Sequence, residues 1–176
     1  MNIYNRFDPD EIVFVFPGES LVGANLQGAN LEEADLTQKD LRGANLTEAN
    51  LKEADFSGSD LKGAVLERAV LSETQFLGAC LDDATLKDAS APLTNFGRAS
   101  LRRANLERAD LQGSNFSSAD ATGANFTGVK FGRTILWKAI FREAILTSTD
   151  FSQTGTDGFL DADFTGAINA PKIKEV

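Results

Sequence analysis

One interval organises this chain: five residues. In steps of five from Leu21 to Phe151, the 27 positions hold 17 Leu, 8 Phe and 2 Ala, the alanines being Ala91 and Ala121. Two residues ahead of most of these centres stands a small side chain, as at Ala24, Ala29, Ala34, Ala44, Ala49, Ala54, Ser59, Ala64 and Ala69. Between the two stands Asn or Asp in many repeats, as in Ala24-Asn25-Leu26 and Ala34-Asp35-Leu36. A period of five suits neither the 3.6-residue turn of a helix nor the alternation of a long strand. It suits a backbone that turns a corner every five residues. Each side then sends one small and one large side chain inward, which fills a narrow interior without voids. Four sides close a coil of 20 residues, and coils stack at the strand spacing of about 4.8 Å.

A longer periodicity supports that coil. Phe56, Phe76, Phe96 and Phe116 recur every 20 residues, with Phe16 in phase. On a four-sided coil they stack up one wall, offset aromatic pairs gaining about 0.5–1.5 kcal/mol each. Outward charges alternate at the same spacing: Glu48, Arg68, Asp88 and Arg108; Glu67, Lys87 and Glu107; Asp82 with Arg102; Asp83 with Arg103. Opposite charges are the favoured neighbours across a ladder, although each exposed pair contributes only about 0–1 kcal/mol.

These residues resemble the pentapeptide repeat family, whose motif is A(D/N)LxX, over about residues 19–169. The resemblance implies an all-β solenoid, a right-handed quadrilateral parallel β-helix of about seven coils; handedness and the square section come with the resemblance. The left-handed β-helix of hexapeptide repeats, often an acyltransferase fold, needs a period of six, and the period of five weighs against it. The expected organisation is an N-terminal cap at 1–18, a repeat body at 19–153, and a loop, last irregular coil and tail at 154–176. In the cap, Ile12-Val13-Phe14-Val15-Phe16 is β-prone and stops at Pro17-Gly18. After Phe151 the next large centres are Phe159 and Phe164, so three extra residues enter within 153–158.

Three inward positions break the pattern. Lys39 occupies a small-residue slot, which predicts a backbone bulge near Gln38-Lys39, because a buried unpaired ammonium is too costly. Ala91-Pro92-Leu93 predicts a second bulge with Leu93 turning in, because proline lacks a ladder N–H. Val129 is merely larger than its equivalents.

The residue inventory excludes much chemistry. With no histidine, a Ser/His or Cys/His nucleophile cannot form. With Cys80 as the single cysteine, neither an internal disulfide nor a Cys/His zinc site can form. There is no glycine-rich phosphate loop; Gly23, Gly28, Gly43 and Gly63 fall at repeat corners. The chain therefore reads as a non-enzyme with no cofactor and no metal. A net charge of −9 argues against direct nucleic-acid binding. No apolar run approaches the ~20 residues of a membrane span. The acidic N-terminus makes a poor signal peptide, so the expected address is the cytoplasm.

Charge is uneven along the chain. Residues 1–60 hold 12 acids and 4 bases, residues 61–120 hold 8 and 7, and residues 121–176 hold 6 and 6. Glu33, Glu53 and Glu73, beside Asp35 and Asp55, stack like charges in one stripe: a solvated face, or a docking surface for a basic partner or a cation. Near the C-terminus, Ile135, Ile140 and Ile145 occupy the normally polar position before the centre, and Trp137 follows the centre Leu136. Val65 and Val70 are smaller exceptions of the same kind. The apolar group is either a seat for the inserted loop and tail or a contact with a partner, including a homodimer through the C-terminal coils.

The expected function is a non-catalytic protein-interaction scaffold whose partner the sequence does not name. The resemblance offers an alternative, a DNA-mimicking modulator of a type II topoisomerase (gyrase). Magnitude weighs against it: seven coils make a rod of about 34 Å, over which duplex DNA carries about 20 charges, whereas this chain carries −9, mostly at one end. Its tail also shows no amphipathic helix of the kind expected where such relatives dimerise.

Overall fold

The computed structural model describes residues 1–154 and 159–171. Within them the five-residue period is a hydrogen-bonding rule. From Asn25↔Asn45 to Lys130↔Asp150, each residue before a centre forms a parallel bridge with its equivalent 20 residues on. The centre's N–H donates to the next coil, Leu26 to the Asn45 carbonyl at 2.7 Å. The second residue after the centre does the same, Gly28 to Thr47 at 2.9 Å, and the small residue closes the corner, Ala29 to Leu26 at 3.1 Å.

One N–H per repeat has no such acceptor, that of the residue directly after the centre. The Asn or Asp two positions back takes it: Asn45 Oδ1 accepts from the Thr47 N–H at 3.1 Å, Asp55 from Ser57 at 2.8 Å and Asn115 from Ser117 at 2.9 Å. Backbone donors must be satisfied somewhere, and short Asx side chains do it locally. That is why Asn and Asp recur beside the centres.

The interior is filled as the small-large pairing requires. Leu31 through Leu111 and the intervening alanines are buried in one continuous core. Phe56, Phe76, Phe96 and Phe116 stack at 5.1, 5.3 and 4.7 Å and form a phenylalanine wall. Phe126, Phe131 and Phe141 close the stack from the other walls. Thr74, Thr94, Ser114 and Thr134 occupy the small slot of that wall, and each hydroxyl donates to a carbonyl one coil below, at 2.6–2.8 Å.

At the N-terminus, β1 (Asn2–Tyr4) and β2 (Ile12–Val15) form an antiparallel hairpin. It buries Ile3 against the first coil, and Asn5 bridges Ala34 antiparallel. The Tyr4 carbonyl accepts the Asp35 N–H and the Arg6 N–H donates to Glu33, both at 2.7 Å, so unpaired edge groups at this corner are covered. Phe16 belongs to this hairpin, donating its N–H to Met1, and not to the aromatic stack. At the C-terminal end the step lengthens from 20 to 23: Ile140 bridges Asp163, Ile145 bridges Ile168, and Phe164 stacks on Phe141 at 5.1 Å. Most of the inserted loop (155–158) and of the tail (172–176) lies outside the described residues.

Three expectations are corrected. No bulge forms at Lys39, because the Asp40↔Asp60 bridge holds register. Its slot lies at the rim, where residue 19 precedes the first coil, so its ammonium stays in water. No bulge forms at Pro92 either. Proline stands where the N–H serves only the Asx turn, so no ladder bond is lost, and its carbonyl still accepts from Glu73 at 3.1 Å. Ala91 fills the centre and Leu93 points outward. Finally, Arg102 pairs with Asp120 at 2.7 Å instead of with the Asp82 carboxylate, which accepts the Arg102 backbone N–H and the Ser100 hydroxyl.

Candidate functional site

With the interior and backbone committed to the fold, recognition falls to the outward columns. Part of the outward charge is paired in ladders: Arg68–Glu48 at 2.9 Å, Arg103–Asp83 and Arg108–Asp88 at 2.7 Å, and Lys87–Glu107 at 3.4 Å. The guanidinium of Arg103 holds the Asp83 carboxyl below its usual range, and Arg108 does the same for Asp88. Burial pushes the Cys80 thiol up, which leaves it protonated and unreactive at neutral pH.

The acidic stripe is largely claimed from within the chain. Glu33, Glu53 and Glu73 share one left-handed corner, and Asp35 bridges Asp55. Arg6 reaches up from the hairpin, donating to the Glu53 carbonyl at 2.9 Å with its guanidinium 3.4 Å from the Asp55 carboxylate. The Asn5 amide donates to Glu33 at 3.0 Å. Lys52 lies 2.9 Å from Glu53 and 3.2 Å from Glu32, hydrogen bonds that raise its pKa. Among the described residues Glu73 has no cationic partner.

The C-terminal apolar group divides. Ile140 and Ile145 are half-buried beneath the last coil, which the 23-residue step lays over them as Asp163 and Ile168. Ile135 and Trp137 remain 48% and 41% exposed, with the Lys138 ammonium 4.5 Å from the Trp137 ring. The Lys138 N–H donates to Leu160 as Ser118 donates to Trp137 one coil below, so Leu160 stands directly above Trp137.

These residues lie on the outer surface of the phenylalanine wall, and two apolar residues outside the sequence expectation join them. Leu77 follows the centre Phe76, and Leu93 occupies the wall's leading corner, at 45% and 60% exposure. A Cβ at Gly97 would lie 3.3 Å from Leu77, and one at Gly113 would lie 2.8 Å from Leu93, so both leucines lean over glycines and smooth the middle of the wall. Leu77, Leu93, Ile135, Trp137 and Leu160 thus share one wall, whereas exposed Val22, Val70 and Ile168 stand singly on the other three. The signal in sequence is large apolar residues out of phase with the centres. The charge along this wall runs from Glu33, Glu53 and Glu73 at one end to Arg98, Arg133 and Lys138 toward the other. Among the described residues these three cations make no ion pair.

Comparison places this geometry among known folds. Residues 24–63, 49–88, 94–128 and 124–154 match the model for pentapeptide repeats, in 8 copies. No curated protein matches the chain. QnrB1, a plasmid-mediated fluoroquinolone resistance protein, is similar in structure with TM-score 0.51 and 22% identity, over 84% of this chain and 78% of that one. HetL of Nostoc sp. strain PCC 7120, involved in heterocyst differentiation regulation, is 29% identical with TM-score 0.31, over 85% of this chain and 82% of that one. Rfr23 of Cyanothece 51142 is 25% identical with TM-score 0.21, over 84% of each chain. On the family match, with its repeats laid out around a four-sided rod, this chain belongs to the pentapeptide repeat family, right-handed quadrilateral β-helices.

Proposed function

We propose that this protein is a non-catalytic interaction scaffold that presents the phenylalanine wall to another macromolecule. The observation that carries the reading is the concentration of exposed Leu77, Leu93, Ile135, Trp137 and Leu160 on that wall. Exposed apolar residues gathered on one face mark interaction sites more than residues scattered singly do. Acids crowd the N-terminal end of the wall, while Arg133 and Lys138 stand toward the other with Asp161 above Lys138, an asymmetry that gives a partner orientation as well as affinity. The test is a photo-reactive side chain at Trp137, compared with one at Thr127 on the opposite wall. Partner labelling confined to position 137 is expected; equal labelling from both walls would sink the reading.

A second reading, DNA mimicry directed at a type II topoisomerase, has weaker support. The acids nearest the N-terminus are partly neutralised by Arg6 and Lys52, and those of the middle coils face Arg68, Arg103 and Arg108. The negative potential is therefore broken into short stretches. A gyrase supercoiling assay separates the readings, and the scaffold reading expects neither inhibition nor protection.

A further inference from the structure

We propose that the macromolecule received by the phenylalanine wall is a second copy of this chain, docked face to face and antiparallel. The proposal rests on the interaction reading above and names its partner. Two rods meeting this way are related by a two-fold axis in the interface and perpendicular to both, a self-complementary contact. Each outward column then faces itself with its order reversed, and the residues along the columns fix where the axis falls.

Placed midway between the levels of Phe96 and Phe116, the axis sets Leu77 against Trp137 of the second copy, and Trp137 against Leu77. Each is large, apolar and nearly half exposed. The same axis brings Glu73 to the level of Arg133 of the second copy, both without an ion pair among the described residues; the Arg133 corner differs from that of Glu73 in carrying its left-handed residue one place earlier, at Gly132 (φ +52°). Arg98 meets Ser118, and Lys138 meets Gly78, where no side chain obstructs it. Leu93 faces Gly113 of the second copy, and because it leans over Gly113 of its own chain the two Leu93 side chains approach each other across the axis. No like charges oppose each other in this register. Moving the axis down half a coil, to the level of Phe96, sets Arg98 against Arg98 and leaves Trp137 over Ser57. Complementarity thus favours the first register over the second.

The contact is small. Six levels of a single wall span about 29 Å, a strip well short of the roughly 800 Å² per partner of a stable dimer. The association is accordingly weak and concentration-dependent, with a monomer at about 10 μM and a dimer growing in at several hundred μM. Sedimentation velocity over that range reads it. Glu73→Arg and Arg133→Glu should each weaken dimerisation about tenfold, and the two together should restore it, with unchanged thermal melts showing that every variant is folded. Register is read by oxidative cross-linking in a Cys80→Ser background. Leu77→Cys with Trp137→Cys should give a covalent dimer, because within one chain these positions are three coils or about 14 Å apart, beyond disulfide reach. Leu77→Cys with Ser117→Cys, the pairing of the rejected register, should cross-link poorly. A monomer at all concentrations overturns the proposal, as does equal cross-linking of both pairs. Partner labelling from position 137 with no self-association would overturn the second copy as occupant while leaving the scaffold reading standing.

Discussion

The aromatic stack allows a graded test of what holds the coils together. Phe96 is fully buried between Phe76 at 5.3 Å and Phe116 at 4.7 Å, whereas Phe56 has one stacking neighbour, Phe76 at 5.1 Å, with Leu36 below it. Leucine is the resident centre at Leu36 and Leu136 of the same wall, so Phe→Leu leaves the backbone acceptable. What changes is volume and stacking. A residual cavity of about 20–25 Å³ costs about 0.5 kcal/mol, and each lost aromatic contact adds about 0.5–1.5 kcal/mol. Phe96→Leu loses two contacts and should cost about 2.5 kcal/mol; Phe56→Leu loses one and should cost about 1.5 kcal/mol. For a domain of this size that is about 5–10 °C in Tm against about 3–6 °C. Urea denaturation followed by circular dichroism measures both, and a double-mutant cycle on Phe76 and Phe96 isolates their coupling. Equal costs at positions 56 and 96, with no coupling between 76 and 96, would show that the rings contribute by size alone.

Proline scanning tests the hydrogen-bond rule: Lys87→Pro, at the position Pro92 occupies one coil corner on, should shift Tm by no more than a few degrees, while Leu86→Pro, which removes the 2.7 Å bond to Asn105, should abolish cooperative folding. Stability should fall in acid: the pKa values of Asp83, Asp88 and Asp163 are depressed in the fold, that of Asp163 to about 2 through Thr165 and Arg142. Their contribution is present above the unfolded value of 3.8 and lost as pH falls toward 2; with no histidine, Tm should be flat from about pH 6 to 8. Asp55→Lys sets a cation beside Arg6 and should release the hairpin, read as faster proteolysis after Arg6 with the repeat body intact. Leu93→Gly should leave Tm within a few degrees, because relief of the left-handed corner offsets the added freedom of the unfolded chain, yet should abolish concentration-dependent association.

The interior was legible because the pattern obeys one rule: every fifth residue faces in, so Leu, Phe and Ala reveal both the period and the coil. Pro92 was misread because its cost depends on which N–H the ladder uses, and that is a property of the folded backbone. Lys39 was misread because its slot is at a rim, and a rim is visible only once the first coil has a position. The Arg6 contacts join residues 47 and 49 apart in sequence, from a segment outside the repeat, and periodicity carries no information about them. Ile140 and Ile145 looked as exposed as Ile135 until the 23-residue step laid Asp163 and Ile168 over them. Leu77 and Leu93 were present in the sequence as leucines out of phase, but their shared wall emerges only when coils are stacked.

Leu93 also shows how fold and surface can be separated in such a rod. The second residue after each centre has a left-handed backbone, with φ from +54 to +72° at nearly every corner. Beyond its N–H, which donates to the next coil, the fold asks nothing of that residue's side chain, and glycine meets the backbone demand best. Where glycine is absent, the described corners hold Glu, Asp, Asn, Gln, Lys, Arg or Ser, whose exposure water repays, with Leu93 (φ +59°) the one apolar exception. Leucine there carries the left-handed cost of about 1–2 kcal/mol, is 60% exposed, and follows a proline that stiffens its corner. Neither backbone geometry nor solubility favours it. A residue held at a cost the fold does not require is evidence of a demand from outside the fold. Leu93 lies at the middle of the wall that gathers the other exposed apolar residues, where a two-fold contact would bring it toward Leu93 of the second copy.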